Sequence, residues 1–225
     1  MAVRTRPEFG DGPLSRAAAL VYTLLVVEAL LLATTAPGLV ALLLLDRDAS
    51  NAPLAALCAV PVGPALSAAL YALHRRSRDV ADLHPAAAFW RGYRANAWDA
   101  LRVWAPWLAW LAVVAVGRDA MGAAAAWWAT LLALVAVSST LWVANALVIS
   151  SLFAFRGVDV ARLAAYFLVR TPGVTLGTAG LVIAAGAVVL LSSEAVLALL
   201  GSLLAAALLR TARPMTDAVR EEFVA

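Results

Sequence analysis

Long apolar runs constrain the fold of this chain more than any other feature of its sequence. They lie at about 17–45, 53–73, 103–117, 123–153, 173–191 and 195–209. A helix needs about 20 predominantly apolar residues to cross a bilayer, and a segment in contact with lipid must satisfy its own backbone hydrogen bonds. The runs therefore predict an all-α, polytopic membrane helix bundle. We expect about six transmembrane helices in three hairpins, forming a single integral membrane domain over residues 1–225.

The composition excludes the main alternatives to a membrane protein. Hydrophobic residues make up 64% of the chain and charged residues 14%, whereas a soluble domain has about 45–50% and about 25%. Disordered chains combine low hydrophobicity with high charge, which is the opposite of what is seen. A soluble globular domain with this composition would have to expose a large apolar surface.

The reactive residue types exclude several kinds of chemistry. All 17 basic residues are Arg, so no lysine is present for a Walker-A motif or a Schiff base. Cys58 is the only cysteine, so neither an intrachain disulfide nor a cysteine-based metal site can form. His74 and His84 lack the i, i+4 spacing of a metal pair. No hydrolase, metalloprotease or nucleotide-binding motif is present. We therefore expect a non-catalytic protein with no metal and no cofactor.

The distribution of the arginines predicts the orientation of the bundle. Basic residues are retained on the cytoplasmic side in short connections between spans. Fifteen arginines fall in the N-terminal segment, the second and fourth connections and the C-terminal tail, and only Arg47 and Arg118 fall on the opposite side. This split predicts a multi-pass protein with both termini in the cytoplasm. The orientation also accounts for the net positive charge of the chain, so the arginines do not indicate a nucleic-acid partner. The preference for Arg and Ala indicates a GC-rich bacterial source, and hence the bacterial inner membrane.

Two of the cytoplasmic connections have the pattern of amphipathic helices. Aromatic and small residues between Phe89 and Trp104 fall on one arc, and arginines fall on the other. Residues 159–170 repeat this pattern more weakly. Such helices lie in the membrane interface, so we predict interfacial helices at about 86–102 and 159–170. The arginines expected to contact lipid headgroups or a partner are Arg75, Arg76, Arg78, Arg91, Arg94 and Arg102.

Glu28 is the only ionisable residue well inside a predicted span. An intramembrane carboxyl group is costly, and it is either a functional group or a hydrogen-bonded structural one. The hydroxyl groups at matching depth, which are its expected partners, belong to Ser138, Ser139 and Thr140. Asn145, nearer the inner end of the same span, is expected to form an interhelical hydrogen bond.

Glycine and proline mark two further features of the spans. Gly173, Gly177 and Gly180 share a face of the fifth span, which predicts close approach of a neighbouring helix. Pro61, Gly63 and Pro64 interrupt the second span. Interrupted helices of this kind surround the binding sites of many transporters.

Short motifs spread over nearly the whole chain resemble one family of bacterial membrane proteins. They are Pro37 in the first run, the Pro-x-Gly-Pro-Ala-Leu-Ser-Ala-Ala-Leu-Tyr segment from Pro61 to Tyr71, Phe89-Trp-x-Gly-Tyr-x-x-Asn96, and Tyr166 followed by Thr171-Pro-Gly-x-Thr-Leu176. Together they resemble the YesL-like family, which carries a domain of unknown function. The Lys-rich connection usual in that family is Arg-only here. Members tend to be encoded beside carbohydrate ABC-transporter permeases, so the resemblance implies a link to sugar uptake and no catalytic residue.

Two functional hypotheses follow from these observations. In the first, the chain is an accessory or regulatory subunit associated with a carbohydrate ABC transporter, with permease subunits, membrane lipids and further copies of itself as partners. In the second, it is a small stand-alone carrier or channel that uses Glu28. A membrane enzyme is a third class, but it lacks any supporting motif.

The predicted orientation can be tested with reporter fusions. Fusions after Arg78, Arg156 and Arg213 should report the cytoplasm, and fusions near Asp48, Arg118 and Ser193 should report the opposite side. The physical reason is that arginines in short connections resist translocation. An external signal after Arg78 would overturn the orientation, because six arginines would then lie on the translocated side.

Overall fold

The computed structural model describes residues 13–46, 48–76, 84–121 and 126–223, and in these ranges the chain is helical and has no strand. The elements are α1 (Pro13–Leu43), a short 3-10 turn (Ala49–Asn51), α2 (Ala52–Cys58), α3 (Val62–His74), α4 (Pro85–Met121), α5 (Ala126–Leu152), α6 (Gly157–Arg170), α7 (Pro172–Leu191), α8 (Glu194–Ala198), α9 (Gly201–Thr211) and α10 (Arg213–Phe223). The prediction of an all-α chain is confirmed.

Several of these helices are long and apolar enough to cross a membrane. Within the described residues, four qualify by length and composition: Leu14–Leu43, Pro85–Arg118, Trp127–Leu152 and Pro172–Leu191. A fifth results if the pair Ala49–Cys58 and Val62–His74, which is bent by 44°, is counted as one span. The chain thus has the four to five apolar helices expected of a polytopic membrane protein.

The first apolar run forms one continuous helix that passes through Pro37. Its 31 residues give a length of ~47 Å, well beyond the ~30 Å hydrocarbon core. Just before the proline, the hydroxyl groups of Thr34 and Thr35 donate hydrogen bonds to the carbonyl oxygens of Leu30 and Leu31, at 2.7–3.0 Å. The run is therefore a single long helix that continues past Pro37 to Leu43.

Two other apolar runs are broken near their middle. The second run divides at Ala59–Pro61 into α2 and α3. The run predicted as a sixth span at 195–209 divides at Leu199–Leu200 into the five-residue α8 and the eleven-residue α9. A helix that breaks inside an apolar layer leaves backbone groups that need partners. These two breaks therefore decide where polar side chains are required.

The boundary expected between an interfacial helix at 86–102 and a span at 103–117 is absent, because both belong to the 37-residue helix α4. Residues 93–105 contain neither Gly nor Pro, so nothing ends the helix there. The two faces of the first part are largely as the periodicity predicts. Phe89 and Trp104 are buried and the arginines are exposed, but Trp90, which the periodicity places on the aromatic arc, is 42% exposed. The aromatic face thus packs against protein, as the first part of a long helix.

Helices α6 and α10 cover the end of the bundle at which α3 ends and α4 begins, which we call the basic end. Helix α6 buries Val160, Leu163 and Phe167. Helix α10 buries Met215 and Val219 where the sequence predicted only a polar tail. An ion pair of 3.1 Å between Arg170 of α6 and Glu222 joins the two helices. The i, i+4 spacing of the two buried α10 side chains is the signal that the sequence analysis missed.

Helix α3 lies at the centre of the bundle, where it packs against α1, α4, α5 and α9. Its buried side chains are mostly small, including Ala65, Ser67, Ala68 and Ala69. A Cβ atom placed on Gly63 would lie 2.4 Å from Cγ of Trp104, and one placed on Gly92 would lie 2.8 Å from Cβ of Tyr71. Since those distances are far below van der Waals contact, glycine is required for α3 and α4 to approach this closely.

We expect Gly63→Ala to destabilise the folded protein by about 1–3 kcal/mol, the usual cost of overpacking a core. The matched control is Gly186→Ala in α7, where no atom lies within 4 Å of the added carbon. Alanine favours a helix by about 1 kcal/mol over glycine, so the control should be neutral or stabilising. Thermal unfolding in detergent measures both variants, and equal melting temperatures would contradict the close α3–α4 contact.

Candidate functional site

Glu28 of α1 lies beside the first turn of α9. Its Oε2 atom accepts a hydrogen bond of 2.6 Å from the backbone N–H of Ser202. The first N–H groups of a helix have no intrahelical acceptor, and negative charge is favoured there by the helix dipole. The carboxyl group of one helix therefore caps the start of another, at the point where the last apolar run is broken.

Close contact between α1 and α9 surrounds this cap. A Cβ atom on Gly201 would lie 3.2 Å from Cδ1 of Leu31 and 3.5 Å from Oε1 of Glu28. An added Cβ atom would therefore be in ordinary contact with the carboxyl group and slightly too close to Leu31, so glycine lets α9 begin here without displacing the Leu31 side chain. Glu28 as a whole is partly exposed, but its Oε1 atom is buried and has no hydrogen-bond partner in the described part of the chain.

The pairing of Glu28 with the hydroxyl groups of α5, which the sequence predicted, is wrong. Ser138, Ser139 and Thr140 donate instead to carbonyl oxygens about one turn earlier in α5, at 2.8, 2.9 and 2.7 Å. Serine and threonine commonly bond back to their own helix in this way. Counting residues from the ends of two spans gives their depth, but it does not show which way each side chain points. The partner of Glu28 is a backbone group, which residue type does not reveal.

A second polar cluster joins α3, α4 and α5. The hydroxyl groups of Ser151 and Ser67 are hydrogen-bonded to one another at 2.9 Å, and Nδ2 of Asn96 donates to the carbonyl oxygen of Ser151 at 3.1 Å. Both serines are buried. This cluster stabilises the centre of the bundle. The sequence does not reveal it, because small hydroxyl residues are common in spans.

Asn145 does not form the interhelical hydrogen bond expected of it through its amide nitrogen. Its side chain is buried, and Nδ2 has no partner among the described residues. The polar side chain that α3 presents to α5 is Ser67, and it lies opposite Ser151, six residues further along α5. The cross-helix bond is therefore made nearer the basic end than the sequence predicted.

Of the three glycines expected to form a packing face on α7, only Gly177 is closely approached. A Cβ atom there would lie 2.5 Å from Cγ2 of Thr211 in α9, whereas Gly173 and Gly180 have no atom within 4 Å of that position. The prediction holds for one residue and is wrong for the other two. Helix α9 thus approaches α7 closely at Gly177, whereas Gly173 and Gly180 face open space.

The arginines predicted to contact lipid or a partner lie on the surface. Arg75, Arg76, Arg91, Arg94 and Arg102 are exposed, and Arg78 lies outside the described residues. Two of them are also held by local contacts. Arg75 lies 4.9 Å above the ring of Tyr71, and Arg102 forms a 3.1 Å ion pair with Asp99. Their contact with headgroups or a partner stays a prediction.

Among the residues that the structure describes, no three His, Cys, Asp or Glu side chains are grouped so that they could hold a metal ion. Asp48, which precedes the 3-10 turn, is held by hydrogen bonds to Ser50. The side chain of Ser50 and its backbone N–H both donate to the carboxylate of Asp48. Both bonds lower the pKa of Asp48, and the bond from the side chain has the larger effect.

Comparisons with known proteins were made at three levels. No family model, no curated protein and no solved structure matches this chain. The resemblance to the YesL-like family therefore stays a prediction from short motifs. Residues of those motifs lie in the contact between α3 and α4, where Phe89 is buried and Asn96 bonds to the end of α5.

We expect Glu28→Ala to destabilise the protein by about 1–3 kcal/mol, because it leaves the buried N–H group of Ser202 without an acceptor. Glu28→Gln keeps a carbonyl oxygen at the same place and should stay close to the wild type. The matched control is Ser138→Ala, which removes a polar group of α5 that does not contact Glu28. Unfolding in detergent with a denaturant measures all three. A stable Glu28→Ala variant would contradict the capping role.

Proposed function

We propose that the chain crosses the bacterial inner membrane six times, with both termini in the cytoplasm. The six crossings are α1, α2 with α3, α4, α5, α7, and α8 with α9. Helices α8 and α9 together extend over residues 194–211, about 27 Å at 1.5 Å per residue, which is close to the ~30 Å of the hydrocarbon core. The basic end, which carries most of the arginines, then faces the cytoplasm, as the positive-inside rule requires.

We further propose that the protein is a non-catalytic accessory or regulatory subunit associated with carbohydrate ABC-transporter uptake. This proposal rests on the contacts that the intramembrane carboxyl group of Glu28 makes. Glu28 binds the backbone of α9, and the hydroxyl groups at its depth bind their own helix. These polar groups therefore serve the structure of the bundle. The sugar-transport context comes from the resemblance to the YesL-like family.

The basic end offers a surface for a permease subunit. The start of α4 exposes Arg91 and Arg94, and a partly exposed ion pair between Arg170 and Glu222 links α6 to α10. A cytoplasmic surface with exposed guanidinium groups suits recognition of an acidic partner surface, because Arg donates several hydrogen bonds in a fixed geometry.

The stand-alone carrier is the second candidate, and one feature favours it. Oε1 of Glu28 is buried without a partner in the described part of the chain, next to the broken run of α8 and α9. Half-helices of this kind surround the binding sites of secondary transporters. In that reading, Glu28 would take up and release a proton during transport.

The two candidates differ in what Glu28→Gln should do. For an accessory subunit, the variant keeps the cap, so cells that carry it should take up a panel of labelled sugars at the wild-type rate. For a proton-coupled carrier, the same variant should lose pH-dependent flux in liposomes while it remains folded. Loss of sugar uptake in a stably folded Glu28→Gln variant would overturn the accessory role.

Co-purification from native membranes tests the partner directly. We expect permease and solute-binding components to be recovered with the wild-type chain. The double variant Arg91→Gln/Arg94→Gln should lose them, whereas Arg91→Lys/Arg94→Lys keeps the charge and should retain part of the binding. Recovery of a clean homo-oligomer alone would contradict the accessory role.

A further inference from the structure

The inner boundary of the membrane crosses α4 close to an ion pair between Asp99 and Arg102. Nδ2 of Asn96 bonds to the carbonyl oxygen of Ser151, near the end of α5, so Asn96 lies level with the inner end of that span. From Asn96 to Arg118, α4 rises about 33 Å at 1.5 Å per residue, close to the ~30 Å of the hydrocarbon core. Asp99 and Arg102 are the only charged residues between those two positions. They therefore lie at the inner edge of the hydrocarbon layer.

The ion pair faces away from the rest of the protein, beside an exposed tryptophan. A guanidinium nitrogen of Arg102 lies 3.1 Å from Oδ1 of Asp99, and the two side chains are 58% and 49% exposed. Trp98 is 65% exposed and lies about half a turn round the helix from the buried Phe89. The guanidinium carbon of Arg102 is 5.4 Å from the centre of the Trp98 ring. A carboxylate, a guanidinium group and an indole ring therefore lie side by side on one exposed face of α4.

The side chain of Arg102 is directed toward the lipid headgroups. It contacts residues three and four positions before it, toward the start of α4, which lies at the basic end. Long basic side chains near a membrane boundary turn toward the polar side in this way. Asp99 occupies one of its several N–H donors, and in the described part of the chain the remaining donors and Oδ2 of Asp99 have no partner. At this depth, lipid headgroups are the nearest polar groups that can supply one.

The opposite charges of the pair restrict the kind of headgroup that fits. A headgroup with both a phosphate and an ammonium group matches both side chains: the phosphate accepts hydrogen bonds from Arg102, and the ammonium group donates to Asp99 beside the Trp98 ring. A purely anionic headgroup would bind Arg102 but would place its negative charge next to the carboxylate of Asp99. An acidic protein surface has the same disadvantage. The charge pattern therefore favours a zwitterionic phospholipid.

From the depth, the exposure and the charges together, we propose that Trp98, Asp99 and Arg102 form a binding site for the headgroup of an inner-leaflet phosphatidylethanolamine. This phospholipid carries a phosphate and a primary ammonium group joined by a short linker. The assignment rests on the membrane orientation proposed above and on neither of the candidate functions. Arg91 and Arg94, which are proposed to contact a permease, lie on the cytoplasmic side of this site.

Photolabelling of the full chain in phosphatidylcholine nanodiscs tests the site. Trace probes of phosphatidylethanolamine, phosphatidylglycerol or phosphatidylcholine, each with a photoreactive group next to the glycerol, are compared, and labelled residues are mapped by mass spectrometry. We expect the phosphatidylethanolamine probe to label residues 97–105 about threefold more than either other probe, which is the effect of one partly exposed charge contact.

Variants separate the two charge contacts. Asp99→Asn should reduce labelling by the phosphatidylethanolamine probe to the level of the phosphatidylcholine probe, because the ammonium group loses its charged partner. Arg102→Gln should reduce labelling by all three probes about threefold, because each probe carries a phosphate. The matched control is Asp159→Asn, which removes an exposed carboxylate of α6 and should leave the labelling of α4 unchanged.

Three results would overturn the site: equal labelling by the three probes in the wild type, strongest labelling by phosphatidylglycerol, or cross-linking of the Trp98 face to a second protein in place of lipid. Thermal unfolding in detergent checks that the variants are folded, which we expect because an exposed ion pair contributes little to stability. A reporter fusion after Arg78 that reports the outer side would show instead that the membrane orientation is wrong.

Discussion

The structure depends on a constraint that the membrane imposes on the backbone: a helix that breaks where water is scarce must find partners for the groups it exposes. The last apolar run breaks at Leu199–Leu200, and the N–H group of Ser202 is left at the start of α9. Glu28 of α1 supplies the acceptor. One carboxyl group thereby joins the first helix to α9, through two residues 174 positions apart in the sequence, and Gly201 lies in close contact with this cap.

Close packing of small residues around α3 is the second interaction that holds the helices together, beside the cap formed by Glu28. In lipid there is little hydrophobic force between helices, so association relies on close contact and on hydrogen bonds between them. The glycines at 63 and 92 bring α4 against α3, and the hydroxyl pair Ser67–Ser151 joins α3 to α5. The amide of Asn96 adds α4 to this pair. The motifs that resemble the YesL-like family therefore include residues with a direct packing role in this chain.

The sequence predicted the all-α class and the apolar runs, because both depend only on composition and length. It also placed Phe89 and Arg91 on opposite faces of a helix, since a period of 3.6 residues is visible without a structure. It could not show that this helix continues unbroken into α4, because a change from polar to apolar residues does not end a helix. It could not find the partner of Glu28 either, since a backbone amide has no signature in the sequence. Helix α10 was missed although Met215 and Val219 carried the signal, because the polar residues around them dominate its composition.

The two broken runs differ in how their breaks are satisfied, and this difference bears on the role of Glu28. At the break between α2 and α3, the N–H groups of Ala59, Val60 and Val62 bond to carbonyl oxygens within the same segment, and the indole of Trp104 donates to the carbonyl of Ala59 at 3.0 Å. That break needs no charged group. At the break between α8 and α9, the N–H group of Ser202 donates instead to the carboxyl group of Glu28 in α1. A carboxyl group is therefore found at the break where a distant acceptor is required, as a structural role predicts.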